Sequence, residues 1–243
     1  SSKISTFNAD FTRFEYDEVW HADPKTPMIV SEGVLSYSKP DKGSFKIDVI
    51  KRFTKTDPAD ARPDAPGSYV EQKDEVGEHW VCDGKAIYQY DHRVKELKVT
   101  AIPEDMRGAS IVEGPLPFLF GAEADKLVER YWIRATDGPT EIWLEAYPRR
   151  QSDAANYEHV DVLLDRTTMQ PLAIQVHLPG GKQRHAYKFG EPTINGKMEA
   201  WFGALFSAPR TPIGWKKVVM IETELPPGTP SPQATNPGEA LQR

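Results

Sequence analysis

An Asp-Gly pair flanked by alternating apolar residues is the feature that most constrains the fold of this chain. The stretch from Trp80 to Asp91 places apolar side chains at every second position on both sides of Asp83 and Gly84. This arrangement is a strong short-range signal for a β-hairpin with a tight turn. We therefore predict a hairpin whose turn is Asp83-Gly84 and which carries no ligand contact.

The same period of two recurs along most of the chain, which favours strands over helices. In 45–53 the alternation predicts Phe45, Ile47 and Val49 on the concave side of a sheet, with Lys46 and Asp48 in solvent. Many strands joined by short turns indicate a meandering antiparallel sheet, and a sheet this long must curl. We expect a mainly β (α+β) fold: a curled antiparallel sheet forming an incomplete β-barrel, with short helices as a lid. Further alternating segments are 14–20, 96–101, 142–146, 160–164 and 172–178.

The 243 residues suit one large domain with two atypical segments. We assign 1–223 to a half-barrel domain, with 57–67 as an inserted loop that holds three prolines. Apolar residues at helical spacing predict an amphipathic helix over 197–206. The segment 224–243 is rich in proline and glycine and reads as a C-terminal tail.

Charge and hydropathy exclude several classes of partner. The net charge of −6 leaves no broad cationic surface for nucleic acid. The sequence lacks the run of about 20 apolar residues that a membrane-spanning helix needs, so we expect a chain that does not span a membrane. Cys82 is the single cysteine, which excludes an internal disulfide, and a lone cysteine in a strand is usually a small buried hydrophobe.

Catalytic and metal-binding motifs are absent from the sequence. His159 and Asp161 share one side of a strand, but no candidate nucleophile is tied to them, so we interpret them as a solvent-facing pair. A two-residue turn at Gly180-Gly181 pairs His177 with Arg184 and His185 with Val176, which puts the two imidazoles on opposite faces. We therefore predict no enzyme activity, no cofactor and no metal.

Five segments, in the same order along the chain, resemble landmarks of the LolA family of periplasmic lipoprotein carriers. The first two are Phe-Asn-Ala-Asp-Phe-Thr at 7–12 and Gly-Val-Leu-Ser-Tyr-Ser-Lys-Pro at 33–40. The hairpin at 80–91, the Pro-rich apolar segment at 114–121 and the strand at 160–165 complete the set. The resemblance covers roughly 7–189.

The resemblance implies an incomplete barrel covered by helices, with a hydrophobic cavity for the acyl chains of a lipoprotein. Lys39 lies where the family has a binding arginine before a proline, and it lacks the planar donor fork of that arginine. The family's cavity phenylalanine falls on Phe45, and 114–121 corresponds to the lid. With the apolar residues of the predicted concave side, the predicted ligand-binding set is Lys39, Phe45, Ile47, Val49, Tyr88, Tyr90, Leu116, Phe118, Leu119 and Phe120.

The leading functional hypothesis is a non-enzymatic carrier that binds lipoprotein acyl chains or a lipid amphiphile for transfer across the cell envelope. It implies a periplasmic location, an export signal that is absent from this chain, and envelope donor and acceptor proteins as partners. The alternative is an envelope lipid or peptide sensor, or a protein-interaction module, which the inserted loop and the tail favour. A lipid-acting enzyme lacks a nucleophile-base pair.

Overall fold

The computed structural model describes residues 5–20, 23–54, 67–104, 107, 124–196 and 203–220. Strands dominate these residues, with two short helices among them. The strands are β1 (Thr6–Asp17), β2 (Ile29–Ser38), β3 (Lys42–Thr54), β4 (Ser68–Glu71), β5 (His79–Asp83), β6 (Ala86–Asp91), β7 (Glu96–Ala101), β8 (Tyr131–Asp137), β9 (Glu141–Pro148), β10 (His159–Asp165), β11 (Pro171–His177), β12 (Gln183–Phe189), β13 (Thr193–Ile194) and β14 (Lys216–Met220); the helices are α1 (Ala124–Arg130) and α2 (Gln151–Ala154).

All fourteen strands belong to one sheet, in the order β14-β7-β6-β5-β3-β2-β1-β12-β11-β10-β9-β8, with β13 on β1 and β4 on β3. Neighbours are antiparallel except β14, which lies parallel to β7. β1 joins the two halves of the order, because it pairs with β2 on one side and with β12 on the other. From β2 the strand numbers rise toward β14, and from β12 they fall toward β8. The two ends of the order do not meet. The predicted fold class, a curled sheet that is not closed into a barrel, is confirmed.

The hairpin predicted at 80–91 is confirmed as β5 and β6, with Cys82 opposite Ile87. That register places Gly84 and Lys85, rather than Asp83 and Gly84, at the two central positions of the turn. Gly84 has φ +87°, which glycine adopts without steric cost at the first central position. Asp83 accepts hydrogen bonds from the backbone N–H groups of Lys85 and Ala86, both at 2.8 Å, and so fixes the turn.

The sheet has two faces, which we name from the residues on them. The inner face carries Phe11, Phe45 and Trp80, whose rings contact one another. The outer face is the opposite side. Most of the main hydrophobic core lies on the inner face, and a second, smaller cluster lies on the outer face of β5, β6 and β7. The core on the inner side includes Phe7, Ala9, Leu35, Tyr37, Ile47, Val160, Val162, Ile174, Val176 and Phe189.

A β-bulge in β3 changes which residues face inward. Glu32 pairs with Val49 but Gly33 pairs with Ile47, so Asp48 is an extra residue in the ladder. An extra residue reverses the alternation beyond it. Ile50 therefore packs against the inner core, and Val49 lies on the outer face. The prediction that Val49 joins Phe45 and Ile47 is wrong for this reason, whereas Phe45 and Ile47 are buried and Lys46 and Asp48 are exposed as predicted.

Strand β1 has no bulge in its pairing with β2 or with β12, although its apolar pattern changes phase between Phe11 and Phe14. The inward positions of Phe7 and Phe11 therefore continue to Arg13 and Glu15, and Phe14 lies outside. Two charged residues consequently project onto the inner face.

Several predicted segments lie outside the described residues: the inserted loop apart from Gly67, the lid residues Leu116, Phe118, Leu119 and Phe120, and the tail. Of the predicted helix at 197–206, only 203–206 is described, and Phe206 there is buried. Neither described helix is long and apolar enough to cross a membrane.

Candidate functional site

An aromatic floor crosses the inner face from β1 to β5. The ring centroids of Phe11 and Phe45 lie 4.8 Å apart, and those of Phe45 and Trp80 lie 5.7 Å apart, both in stacked arrangements. Phe11 also contacts Tyr187 on β12 at 5.9 Å. Phe11 is 3 % and Phe45 is 4 % exposed, so neither ring is open to solvent.

Gly33 leaves the space through which Phe11 and Phe45 contact each other. It lies opposite Phe11 in β2 and next to the bulge of β3. A Cβ atom at Gly33 would lie 2.1 Å from the carbonyl oxygen of Lys46 and 2.9 Å from the ring of Phe11. Phe11 reaches Phe45 across the intervening strand because position 33 has no side chain.

A charged cluster adjoins the aromatic floor at one end; we call it the inner polar cluster. It consists of Arg13, Glu15, Glu78, His185 and Tyr187. The guanidinium of Arg13 lies 2.7 Å from Glu15 and 3.1 Å from Glu78. In the ladder between β1 and β12, Arg13 lies opposite Tyr187 and Glu15 lies opposite His185. Nε2 of His185 is 3.8 Å from Oε2 of Glu15. The side chain of Arg13 is 14 % exposed, whereas that of Glu78 is 42 % exposed, so solvent reaches the cluster mainly at Glu78.

Burial and charge set the protonation of this cluster. Burial opposes the charge of Arg13, but Tyr187, Glu15 and Glu78 together raise its pKa above the ordinary value, and it stays protonated. Burial lowers the pKa of His185 despite the neighbouring Glu15, which favours a neutral imidazole. The cluster therefore has two carboxylates against one guanidinium, an excess of negative charge.

Among the described residues, two buried polar atoms in this region have no hydrogen-bond partner: Nε of Arg13 and Oγ of Ser31. The two residues are direct neighbours across β1 and β2. A buried donor without a partner costs about 1–3 kcal/mol, so each of these atoms is a candidate contact for a bound molecule. Both atoms can donate to an oxygen acceptor that is not part of this chain.

The structure brings together only some of the predicted ligand-binding residues. Phe45 and Ile47 lie on the inner face. Trp80 on the inner face pairs with Gln89, so Gln89 also faces inward. Tyr88 and Tyr90 flank Gln89 in β6 and therefore lie on the outer face. These two predicted ligand-binding residues therefore lie on the face opposite Phe45. Tyr90 instead stacks on His79 at 4.1 Å.

The remaining predicted residue that the structure describes, Lys39, is exposed in the turn between β2 and β3. Its backbone N–H donates to the carbonyl of Ser5. Arg13 and Glu15 were missed by the sequence analysis, although the phase change after Phe11 could have identified them.

Cys82 is a buried thiol. Its Sγ lies 3.2 Å from the carbonyl oxygen of Asp41, and burial raises its pKa to about 11. A thiol with so high a pKa is a poor nucleophile at neutral pH.

The outer face of β8 and β9 exposes large aromatic side chains. Trp132 is 58 %, Trp143 46 % and Tyr147 42 % exposed. Trp132 and Tyr147 line a shallow cavity of about 570 Å³ together with Glu158 and Pro179. Isolated exposed aromatics are common, but a cavity lined by two of them is a candidate contact surface.

A row of imidazoles continues this surface. Tyr147 stacks on His159 at 4.9 Å, and His159 stacks on His177 at 3.8 Å. Asp161 lies two residues along the same face of β10, with Oδ2 3.0 Å from Nε2 of His177. The predicted pairings of His177 with Arg184 and of His185 with Val176 are confirmed. The pairing of His177 with His159 arises from the ladder between β10 and β11 and was not predicted from the sequence.

No protein-family model matches the chain, and no curated protein shows significant sequence similarity to it. Several solved structures are similar to it in architecture. One is an uncharacterized conserved protein from Thermus thermophilus, with 8 % identity, a TM-score of 0.46, and coverage of 90 % of this chain and 92 % of the other.

A LolA superfamily protein from Nitrosomonas europaea has 9 % identity and a TM-score of 0.36, covering 83 % of this chain and 91 % of the other. The MucA/MucB complex of Pseudomonas aeruginosa contains a chain with 12 % identity and a TM-score of 0.37, covering 83 % of this chain and 56 % of the other.

Proposed function

We propose that the chain is a non-enzymatic carrier that binds an acylated lipoprotein, or a lipid amphiphile, over the inner face of its sheet. The observation that carries the proposal is the division of that face into an aromatic floor and the inner polar cluster. An amphiphile has the same division. Each CH₂ group removed from water contributes about 0.8 kcal/mol, so an acyl chain gains many kcal/mol on such a floor without covalent chemistry.

The charges of the inner polar cluster favour a particular headgroup. The excess of carboxylates disfavours a phosphate, while the unpartnered atoms of Arg13 and Ser31 are suited to neutral oxygen acceptors. Ester and amide carbonyls of an acylated lipoprotein supply such acceptors. We therefore propose an acyl ester or acyl amide group next to β1 and β2.

Because Phe11 and Phe45 are almost fully buried, binding requires a cover that opens. We propose 116–120 as that lid, with Phe118 and Phe120 against the acyl chains and Lys39 near the rim. On this proposal the chain acts in the cell envelope, receiving cargo from one protein and delivering it to another.

A synthetic diacylated lipopeptide and its unacylated peptide test the proposal by fluorescence titration. The wild type is expected to bind the lipopeptide and not the free peptide. The Phe118→Asp, Phe120→Asp double variant should lose at least about tenfold in affinity, because it places carboxylates against apolar chains. Ser31→Ala should lose about two- to tenfold, the value of one hydrogen bond.

The matched control is Trp143→Ala on the outer face, which should bind as the wild type does. All variants are first shown to be folded by circular dichroism. No lipopeptide binding by the wild type contradicts the carrier, as does an equal loss in Trp143→Ala.

A second candidate is a protein-interaction module, which the aromatic cavity on the outer face favours. Binding of the free peptide with the same affinity as the lipopeptide, lost in Trp132→Ala, would support this candidate instead.

A further inference from the structure

Three side chains on the outer face form a group with the composition of a metal site: His159, Asp161 and His177. One donor atom from each lies within 4.8 Å of the others. His159 and His177 are directly opposed in the ladder of β10 and β11. Asp161 completes the group from the same strand as His159, because positions two apart in a strand share a face. Two imidazoles and one carboxylate are ligands that zinc uses in sites with an open position.

The three side chains are partly buried, as the ligands of a bound ion are. The side chains of His159, Asp161 and His177 are 17 %, 12 % and 20 % exposed, so they are held by packing yet open to solvent on one side. Tyr147 packs on the outer side of His159 and restricts its ring.

The second ring nitrogen of His159 provides an independent observation. Its Nδ1 is buried and has no hydrogen-bond partner within the described part of the chain, and Oε1 of Glu158 lies 4.0 Å away. Metal-bound histidines usually donate the N–H of their other nitrogen to a carboxylate or a carbonyl. A small rotation of the ring would give Nδ1 this bond to Glu158 while Nε2 points toward Asp161, from whose Oδ1 it is 4.0 Å distant.

We propose that His159, Asp161 and His177 bind a zinc ion on the outer face, with Glu158 orienting His159. Tetrahedral ligands at about 2.1 Å from zinc lie about 3.4 Å apart. Nε2 of His177 and Oδ2 of Asp161 are already 3.0 Å apart, and His159 must approach by rotation about its side-chain bonds. The ion replaces the contacts of Nε2 of His177 with Asp161 and with the amide of Gln175. Three protein ligands leave one coordination position for water or a partner's donor.

The test is calorimetric titration of the full, untagged chain with ZnCl₂ after removal of metals with a chelator. We expect one ion per chain. His159→Gln and His177→Gln should each bind at least about thirtyfold more weakly, because each removes a ligand. Glu158→Gln should lose about tenfold, the effect of an orienting partner. His92→Gln is the matched control, since His92 also stacks on aromatic neighbours but belongs to a different part of the sheet.

Imidazole nitrogen chemical shifts identify the ligands directly. Addition of ZnCl₂ should shift Nε2 of His159 and His177 and leave His92 unchanged. Absence of stoichiometric binding by the wild type overturns the site. So does binding that His177→Gln does not weaken, or that His92→Gln weakens equally, in variants with unaltered circular dichroism.

Discussion

The inner face of β1 to β5 and the outer face of β8 and β9 use the same residue types in opposite ways. On the inner face Phe11 and Phe45 are stacked and almost fully buried, whereas on the outer face Trp132 and Trp143 are about half exposed. The exposure of arginine differs in the same way: Arg13 is largely buried on the inner face, whereas Arg134 is exposed on the outer face. The location of a side chain, rather than its hydrophobicity, therefore determines what it does in this protein.

The difference also separates two kinds of binding chemistry. The inner face combines an aromatic floor with unpartnered donors, which suits an amphiphile with neutral acceptors. The outer face combines exposed rings with two imidazoles and a carboxylate, which suits an ion or a partner. The comparison can be tested with matched substitutions on the two faces.

The largest difference in unfolding free energy between the two faces is expected for substitutions of aromatic residues. Phe45→Ala removes the central ring of the stack formed with Phe11 and Trp80, and should lower the free energy of unfolding by about 3–4 kcal/mol. Trp143→Ala, on the outer face, should lower it by less than about 1 kcal/mol. Urea unfolding followed by circular dichroism measures both. Similar losses in the two variants would contradict the assignment of the faces.

The inner polar cluster should show the next largest effect. Arg13→Met leaves Glu15 and Glu78 without their cation, which we expect to cost about 2–3 kcal/mol of unfolding free energy. The cost is below that of a fully buried pair because Glu78 is 42 % exposed. Arg134→Met is the outer-face control and should leave stability unchanged within error. Stabilisation by Arg13→Met would show that the cluster is not held as described.

The pH dependence of stability should reveal an outer-face imidazole. Burial, and then the charges of Lys46 and His92, lower the pKa of His79 to about 4, below the ordinary value of 6.5. The folded state therefore disfavours the charged form, so this contribution is complete above pH 6.5 and is lost as the pH falls toward 4. Allowing for partial exposure, we expect about 1–2 kcal/mol.

The matched variant is His79→Phe, which keeps an aromatic ring against Tyr90 but does not titrate. Urea unfolding at pH 7 and at pH 4.5 should show a smaller loss of stability in the variant than in the wild type. Equal losses in both would mean that His79 is not the group responsible.

The smallest expected difference in unfolding free energy tests the β-bulge in β3. Ile50 packs against the inner core and Val49 does not, so Ile50→Ala should cost about 1 kcal/mol more than Val49→Ala. Urea unfolding resolves this difference. A larger loss in Val49→Ala than in Ile50→Ala would mean that β3 alternates without a bulge, as the sequence predicts.

Much of the fold was predictable because period-two patterns and turn residues are local. The strand pattern, the hairpin at Gly84 and the pairing of His177 with Arg184 all followed from neighbouring positions. The position of Val49 was not predictable in this way, since the bulge at Asp48 becomes visible only when β3 is paired with β2. Likewise, the proximity of His159 and His177 depends on the register between two strands rather than on either pattern alone.

The candidate site was less predictable than the fold for the same reason. Phe45 was identified, but its stacking on Phe11 depends on Gly33 in the intervening strand. The inward direction of Arg13 contradicts the usual expectation that charges face solvent. Tyr88 and Tyr90 were grouped with Phe45 as ligand-binding residues, but aromatic character does not specify a face, and the register of β5 and β6 places them on the outer one.

The most direct test of the central claim is to locate a bound amphiphile by nuclear magnetic resonance. A fatty acid with a nitroxide label on its acyl chain is added to protein with labelled Ile, Leu and Val methyl groups. We predict broadening of Ile47, Val160 and Ile174 on the inner face, with Val49 and Leu163 on the outer face unaffected. Broadening confined to the outer-face methyls, or no broadening at saturating ligand, would contradict the proposed carrier.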